Sequence, residues 1–323
     1  MSNDFAFASI VELARLLRAR KISSVELTQL FLDRLEKFGP RYNALAELTR
    51  ELAMQQARRA DRVGAKHASP LHGIPYGAKD LLATKNIPTR WGSPAHRDQV
   101  FDYDATAITK MRAAGAVLIG KLAMVELAGG GGYEFASASL HGAGLNPWNT
   151  NHWAGGSSSG SGSAVAAGLV PFALGSETWG SIMSPSGYCG VTGLRPTWGL
   201  VSRAGALELA WTMDKIGPLA RSAEDCGWIL QVLAGRDETD PTTTRDFHFQ
   251  SRIARREYRV GILPIDFSYQ PELEKKICGC DSRSEKSRDQ IYARRFTRSA
   301  LRRNRDDDSA RGNARGARRV DQE

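Results

Sequence analysis

Two serine-bearing loops have the residue types of a nucleophilic active site. The first, "AGGSSSGSGSAVAAG", covers residues 154–168, and the second, "GSETWGSIMSPSGYCG", covers residues 175–190. A nucleophilic serine needs a base that accepts its proton and N–H groups that stabilise the oxyanion. Neighbouring glycines let bare backbone approach the reacting carbonyl. A flexible linker has a similar composition, but the first loop runs into the apolar "AVAAGLVPFAL". We therefore predict catalytic loops.

The base is predicted to be a lysine. His248 is the only histidine after the serine loops. Lys79, in "GIPYGAKDLL", follows an apolar stretch, and burial there would depress its pKa from about 10.4. The residues alone leave one alternative open. "GSSSG" at 156–160 also fits the G-x-S-x-G motif, with Ser158 as nucleophile and His248 as base, although the polar "NPWNTNHWA" stands where that motif needs a strand.

Three segments together resemble the amidase signature family of Ser–Ser–Lys amidohydrolases. They are "PLHGIPYGAKD", "NPWNTNHWAGGSSSGSGSAVAAGLVPFALGSETWGSIMSPSGYCGVTGLRPTWGLVS" and "DKIGPLARSAEDC". The resemblance runs from about residue 8 to residue 265. It implies an α/β amidase-signature fold, a mixed β-sheet covered by helices. It also implies an amidohydrolase that cleaves a small-molecule carboxylic amide without a metal or an organic cofactor.

The resemblance also assigns roles to single positions. Ser181 matches the nucleophile, and Ser157 matches a bridging serine whose peptide bond is typically cis in the family. Lys79 matches the general base, and Ser158 matches a residue that supports the lysine–serine hydrogen bonds. The backbone amides that match the oxyanion hole are those of Thr178, Trp179 and Gly180.

Two substitutions depart from the family pattern near the nucleophile. Trp179 replaces a glycine, and we expect its indole to line or narrow the acyl pocket. Met183 replaces an arginine, so we expect Glu177 to lack a charge partner. Both changes favour a general amidase over the alternative, the A component of an aspartyl/glutamyl-tRNA amidotransferase.

The elements that must position these loops follow from capping and periodicity. Ser9 and Ser23 each precede a glutamate by three residues, the capping-box pattern that begins a helix. A third helix is predicted over residues 44–63. Buried strands are predicted within residues 71–85, 116–128 and 258–267, the second of them followed by a helix. Strands that alternate with helices indicate α/β architecture.

The chain changes character near residue 276. Residues 277–323 contain 12 of the arginines and carry a net charge of +5, out of +9 for the whole chain. Such a segment has too few aliphatic side chains to form a core. We predict an amidase signature domain over residues 1–275, C-terminally incomplete, and a disordered or non-native tail over residues 276–323. The family pattern stops near this point, as it would in a truncated or frame-shifted copy. An inactive remnant of an amidase is therefore a further alternative.

Partners and location follow from composition. Acidic residues such as "DDD" at 306–308 interrupt the basic tail, and aromatic residues do not alternate with its arginines, which argues against a nucleic-acid partner. No apolar run reaches the length of about 20 residues that spans a bilayer. No signal peptide is evident, so we expect a cytoplasmic protein. "CGC" at 278–280 has no second ligand pair nearby, so no metal is predicted.

Overall fold

The computed structural model describes residues 5–64, 69–129, 134–243 and 246–251, together with the backbone of two later strands. The chain divides into two compact units, Met1–Ser251 and Arg252–Glu323. In the second unit, Arg259–Ile262 pairs in parallel with Tyr292–Arg295. The second of these strands lies in the tail that we predicted to be disordered or non-native. Two paired strands satisfy each other's backbone hydrogen-bonding groups, and this pairing does not require a hydrophobic core. The predicted boundary near residue 275 and the rest of the tail lie outside the described residues.

The first two helices of the first unit begin where the sequence signals predict. The Ser9 side chain accepts a hydrogen bond from the backbone of Glu12, whose carboxylate accepts one from the Ser9 backbone. Ser23 and Glu26 form the same reciprocal pair, so both predicted capping boxes are confirmed. The helices are α1 (Ile10–Arg18), α2 (Ser24–Phe38), α3 (Arg50–Val63), α4 (Thr106–Ala113), α5 (Ser159–Ala166), α6 (Met183–Cys189) and α7 (Ala223–Leu233).

The described strands are β1 (Leu45–Leu48), β2 (Pro75–Lys79), β3 (Val117–Leu122), β4 (Leu145–Asn146), β5 (Asn149–Trp153), β6 (Ala173–Glu177), β7 (Thr192–Gly193), β8 (Lys215–Ala220), β9 (Arg259–Ile262) and β10 (Tyr292–Arg295). Strands of mixed direction form the central sheet, in the order β1-β3-β2-β6-β8-β7. The pairs β3–β2 and β2–β6 are parallel, whereas β1, β8 and β7 join antiparallel to their neighbours. A separate antiparallel ribbon consists of β4 and β5.

The helix predicted over residues 44–63 begins too early. Its first part is strand β1, which pairs with β3 at Leu48 and Gly120. The Thr49 hydroxyl then donates to the carbonyl of Leu118 at 2.7 Å, and α3 begins at the next residue. Pairing with a strand some 70 residues away overrides local helix propensity here.

The prediction of a helix after β3 is also wrong. Only a short 3₁₀ turn, Glu126–Ala128, follows that strand. The backbone N–H of Glu126 donates to the carbonyl of Ala138 at 2.7 Å, and that of Leu127 donates to the carbonyl of Trp91 at 2.9 Å. These contacts with distant loops replace the hydrogen bonds of a continuing helix, and Leu127 has a left-handed φ of 48°.

The core surrounds strands β2 and β3. Every residue of β2 and β3 is buried. Tyr76 of β2 stacks on Phe172, just before β6, with 5.3 Å between ring centroids. Helices α2 and α3 pack against β3, whereas α5 contacts β2, β3 and β6. Within the residues described, no helix combines the length and apolarity needed to cross a membrane.

Candidate active site

Lys79 ends strand β2 with a fully buried side chain. Its Nζ lies 2.7 Å from Ser157 Oγ and 2.9 Å from Ser176 Oγ. Burial lowers the pKa of Lys79 to about 7, and the carboxylates of Asp214 and Glu177 partly oppose that shift. A substantial fraction of this lysine is therefore an uncharged amine at neutral pH, which is the state that a proton acceptor needs.

The loop that carries Ser157 runs against helix α6. Gly155 has φ +80°, and a Cβ at this position would lie 2.8 Å from backbone atoms of Pro185. Glycine is required there for both reasons. The Gly156–Ser157 peptide bond is cis, as the family resemblance implies. The Ser157 side chain is fully buried, so it meets Lys79 away from bulk water.

Ser158 joins the first loop to the second. Its backbone N–H donates to the carbonyl of Ser181 at 3.3 Å, and its hydroxyl donates to the carbonyl of Ser176 at 3.2 Å. The strand before the "GSSSG" motif is the largely exposed β5, which belongs to the small ribbon and not to the central sheet. This arrangement differs from the apolar strand that the G-x-S-x-G alternative requires.

Ser181 lies in the turn between strand β6 and helix α6 and is only 3% exposed. The buried carboxylate of Glu177 closes this turn. One oxygen accepts from the backbone N–H groups of Ile182 and Met183 at 2.7 and 2.8 Å. The other accepts from Arg195 Nη1 at 3.1 Å.

The expectation that Glu177 lacks a charge partner is therefore wrong. Arg195 supplies that charge partner. It follows strand β7 in the chain and reaches the turn because β7, β8 and β6 are neighbours in the sheet. Nothing in the local sequence of either segment signals this pairing.

Thr178 is held at two atoms. Its hydroxyl donates to the carboxylate of Asp214, and its carbonyl accepts from Lys215 Nζ at 2.9 Å. Trp179 follows with a side chain that is 73% exposed. The next residue, Gly180, accepts a backbone hydrogen bond from Ser184 at 2.7 Å.

A cavity of about 180 Å³ opens beside Ser176 and Thr178. Its described lining includes Thr178 but not Trp179, and the expectation that the Trp179 indole lines or narrows the acyl pocket stays a prediction. Its wall includes Arg203, which forms an ion pair with Asp240 at 3.1 Å. The other apolar and polar lining residues include Leu81, Leu207, Leu209, Trp211, Asp214 and Lys215.

The sequence interpretation missed several of these residues. Ser176, the second contact of Lys79, lies inside the "GSET" motif but was assigned no role. Asp214 and Lys215 reach the site because β8 pairs antiparallel with β6, with Lys215 opposite Glu177. The pairing of β6 with β8 had no signal in the motifs.

Comparisons with known proteins bear on the family and on the fold. A model of the amidase family matches residues 26–282. The chain belongs to the amidase family. Structures of family members at 29–34% identity share its fold, which confirms the predicted α/β amidase-signature architecture. No cluster of three or more potential metal-ligating side chains occurs among the described residues of this amidase-family chain.

Relatives of two kinds are similar to this amidase-family chain. The A component of glutamyl-tRNA(Gln) amidotransferase from Methylococcus capsulatus is 48% identical over 235 residues, which are 72% of this chain and 48% of the relative. Peptide amidase from Stenotrophomonas maltophilia superposes with a TM-score of 0.82 at 34% identity, over 91% of this chain and 63% of that one. The corresponding amidotransferase component from Thermotoga maritima gives a TM-score of 0.73 at 29% identity, over 92% and 62%. The chain spans about half the length of the curated relatives it matches.

Proposed function

We propose that this chain carries the acyl-transfer chemistry of an amidohydrolase, with Ser181 as nucleophile and Lys79 as general base acting through Ser157. The observation that supports it best is the buried contact between Lys79 Nζ and Ser157 Oγ at 2.7 Å. A lysine whose pKa is lowered to about 7 both accepts and returns a proton near neutral pH.

The proposed reaction begins when Ser181 Oγ attacks the amide carbonyl. Its proton passes to Ser157, and the Ser157 proton passes to the neutral amine of Lys79. The backbone N–H groups of Thr178, Trp179 and Gly180 stabilise the oxyanion. The relay then protonates the leaving amine, and water cleaves the acyl-enzyme by the same path. Ser158 holds the two loops together throughout.

Replacement of the nucleophile tests this proposal. We expect Ser181→Ala to abolish hydrolysis of an anilide substrate, and Ser157→Ala to lower kcat by several orders of magnitude, because each breaks the relay. Ser163→Ala serves as the control, since the hydroxyl of that serine donates to the carbonyl of Leu145, outside the relay. Near-wild-type turnover in Ser181→Ala would reject the assignment, and an inactive wild-type chain would favour the inactive-remnant alternative. Inhibition by a chelator and recovery with zinc would indicate a metal enzyme.

The second candidate function is that of the component called A in a tRNA-dependent amidotransferase. The 48% identity to the A component of glutamyl-tRNA(Gln) amidotransferase supports it. Arg195 supplies the charge partner of Glu177 whose expected absence spoke against it. Both candidates use the same serine chemistry and differ in the acceptor. Conversion of glutamyl-tRNA(Gln) to glutaminyl-tRNA(Gln) in the presence of partner proteins would favour this candidate, and hydrolysis of simple amides by the chain alone would favour the amidohydrolase.

The role of residues 276–323 is the subject of a separate proposal. All proposed site residues lie in the compact unit Met1–Ser251. We propose that residues 276–323 take no part in the chemistry and are dispensable for it. Limited trypsin digestion should release arginine-rich peptides of the tail first and leave a core that ends near residue 275. Protection of residues 283–319 would contradict this proposal.

A further inference from the structure

Lys215 is the first residue of strand β8 and lies across from Glu177 in the antiparallel pair of β8 with β6. Its Nζ donates to the carbonyl oxygen of Thr178 at 2.9 Å. That carbonyl belongs to the same peptide group as the N–H of Trp179. A trans peptide is planar, and its C=O and N–H point in opposite directions. A cation that binds the carbonyl therefore fixes the direction of the N–H.

The neighbouring residue restrains Thr178 through its side chain. The carboxylate of Asp214 accepts from the Thr178 hydroxyl. Its second oxygen accepts from the backbone N–H groups of Leu209 and Ala210 at 2.7 and 2.9 Å. Leu209 itself lines the cavity. Lys215 and the residue just before β8 thus hold the nucleophile segment in one orientation relative to the cavity wall.

We propose that Lys215 is a positioning residue for the oxyanion hole. Its ammonium group orients the Thr178–Trp179 peptide and polarises it, so that the Trp179 N–H becomes a stronger and better aimed donor to the developing oxyanion. This inference rests on the proposed function of Ser181. A cation bound to a peptide oxygen polarises that peptide and strengthens the hydrogen bond that its N–H donates. Preorganised donors of this kind stabilise mainly the transition state.

The surroundings of Lys215 fit this role. Burial and the nearby Arg195 lower the pKa of Lys215, and the carboxylates of Glu177 and Asp214 partly oppose that shift. The side chain is only partly buried, so substitution does not leave a sealed cavity in the core. The three charged neighbours are the groups that a variant must leave intact.

The experiment measures the reactivity of Ser181 without an amide substrate. An alkyl fluorophosphonate phosphonylates an activated serine with loss of fluoride, and intact-protein and peptide mass spectrometry give the rate and the site. We expect Lys215→Met to slow labelling of Ser181 on the order of tenfold, which is less than the loss of about 100-fold or more for deleting a direct donor. Lys215→Arg, which keeps a cationic donor, should recover most of the rate. Lys85→Met, at an exposed lysine, is the matched control and should label at the wild-type rate.

The outcomes separate this inference from the proposed function. Labelling of the wild type at Ser181 with an unchanged rate in Lys215→Met would overturn the positioning role and leave the nucleophile assignment standing. Equal loss in the Met and Arg variants would also overturn it, because a cationic donor would then not be what matters. Absence of labelling in the wild type would overturn the proposed function and this inference together. Anilide hydrolysis should agree, with kcat reduced and KM little changed in Lys215→Met.

Discussion

Lys79 and Lys121 are two fully buried lysines on neighbouring parallel strands, and their surroundings differ completely. Lys121 pairs in register with Ala78, so its side chain and that of Lys79 point to opposite faces of the sheet. Lys79 meets two hydroxyl groups, those of Ser157 and Ser176. Lys121 meets the carboxylate of Asp80 at 3.2 Å and the hydroxyl of Thr89 at 2.6 Å.

The partners differ in what they allow chemically. Burial lowers the pKa of both lysines. For Lys121, the attraction and the hydrogen bond to Asp80 partly oppose that lowering. For Lys79, the carboxylates of Asp214 and Glu177 partly oppose it, and the pKa falls to about 7. Lys79 thus has hydroxyl partners with which it can exchange a proton, whereas Lys121 faces a carboxylate in a buried ion pair.

The largest expected effect is on catalysis at Lys79. We expect Lys79→Met to lower kcat for an anilide by about 1000-fold or more, because the relay loses its proton acceptor. The variant should keep its fold, since methionine fills the buried site without a charge. Steady-state kinetics and circular dichroism measure the two effects. Activity within about tenfold of wild type would show that the two lysines do not differ in this way.

Lys121 should instead control stability. We expect Lys121→Met to reduce the free energy of unfolding by about 3–5 kcal/mol, since Asp80 is left buried without its partner. Urea unfolding measures the change. The double variant Lys121→Met with Asp80→Asn should regain more than half of the loss, because it removes the uncompensated charge. A double variant no more stable than the single one would contradict the ion-pair interpretation.

The next largest expected effect is the contribution of Lys79 to the pH dependence of the free energy of unfolding. The pKa of Lys79 is about 7 in the folded chain against an ordinary value of 10.5, so the unfolded chain binds more protons between these values. The Lys79 contribution to the free energy of unfolding therefore rises with pH across that window. Wild type should gain stability relative to Lys79→Met between about pH 7 and pH 10. A constant difference across this window, measured by urea unfolding, would mean that Lys79 keeps its ordinary pKa.

The smallest expected effect concerns Asp214, whose carboxylate opposes the lowering of the Lys79 pKa by burial. Asp214→Asn removes a negative charge that raises the pKa of Lys79, so that pKa should fall further. The acid limb of the kcat/KM profile should then move to lower pH, even if the plateau rate falls because Thr178 loses its partner. Glu177 remains in place and keeps the shift modest. A limb that moves to higher pH would contradict this account of the Lys79 environment.

Prediction from sequence succeeded where the information was local. Both capping boxes involve residues three positions apart, and both formed as predicted. It failed where strands from distant segments pair. Residues 45–48 form a strand because β3 offers hydrogen bonds there, and Glu177 finds its cation in Arg195 because β6, β8 and β7 are adjacent. Neither partner is visible from the segment itself.

The sequence by itself determined which groups are available to this site: serines flanked by glycines, an upstream lysine, and a loop whose Gly155 alone permits a φ of +80° so close to Pro185. These are properties of residue type and short spacing. Only the tertiary structure decided that Lys79 faces hydroxyls while Lys121 faces a carboxylate, and that Lys215 reaches the carbonyl of Thr178. The reason is that a pKa and a hydrogen-bond direction depend on burial and on charges within a few ångströms, which chain folding brings together from segments far apart in the sequence.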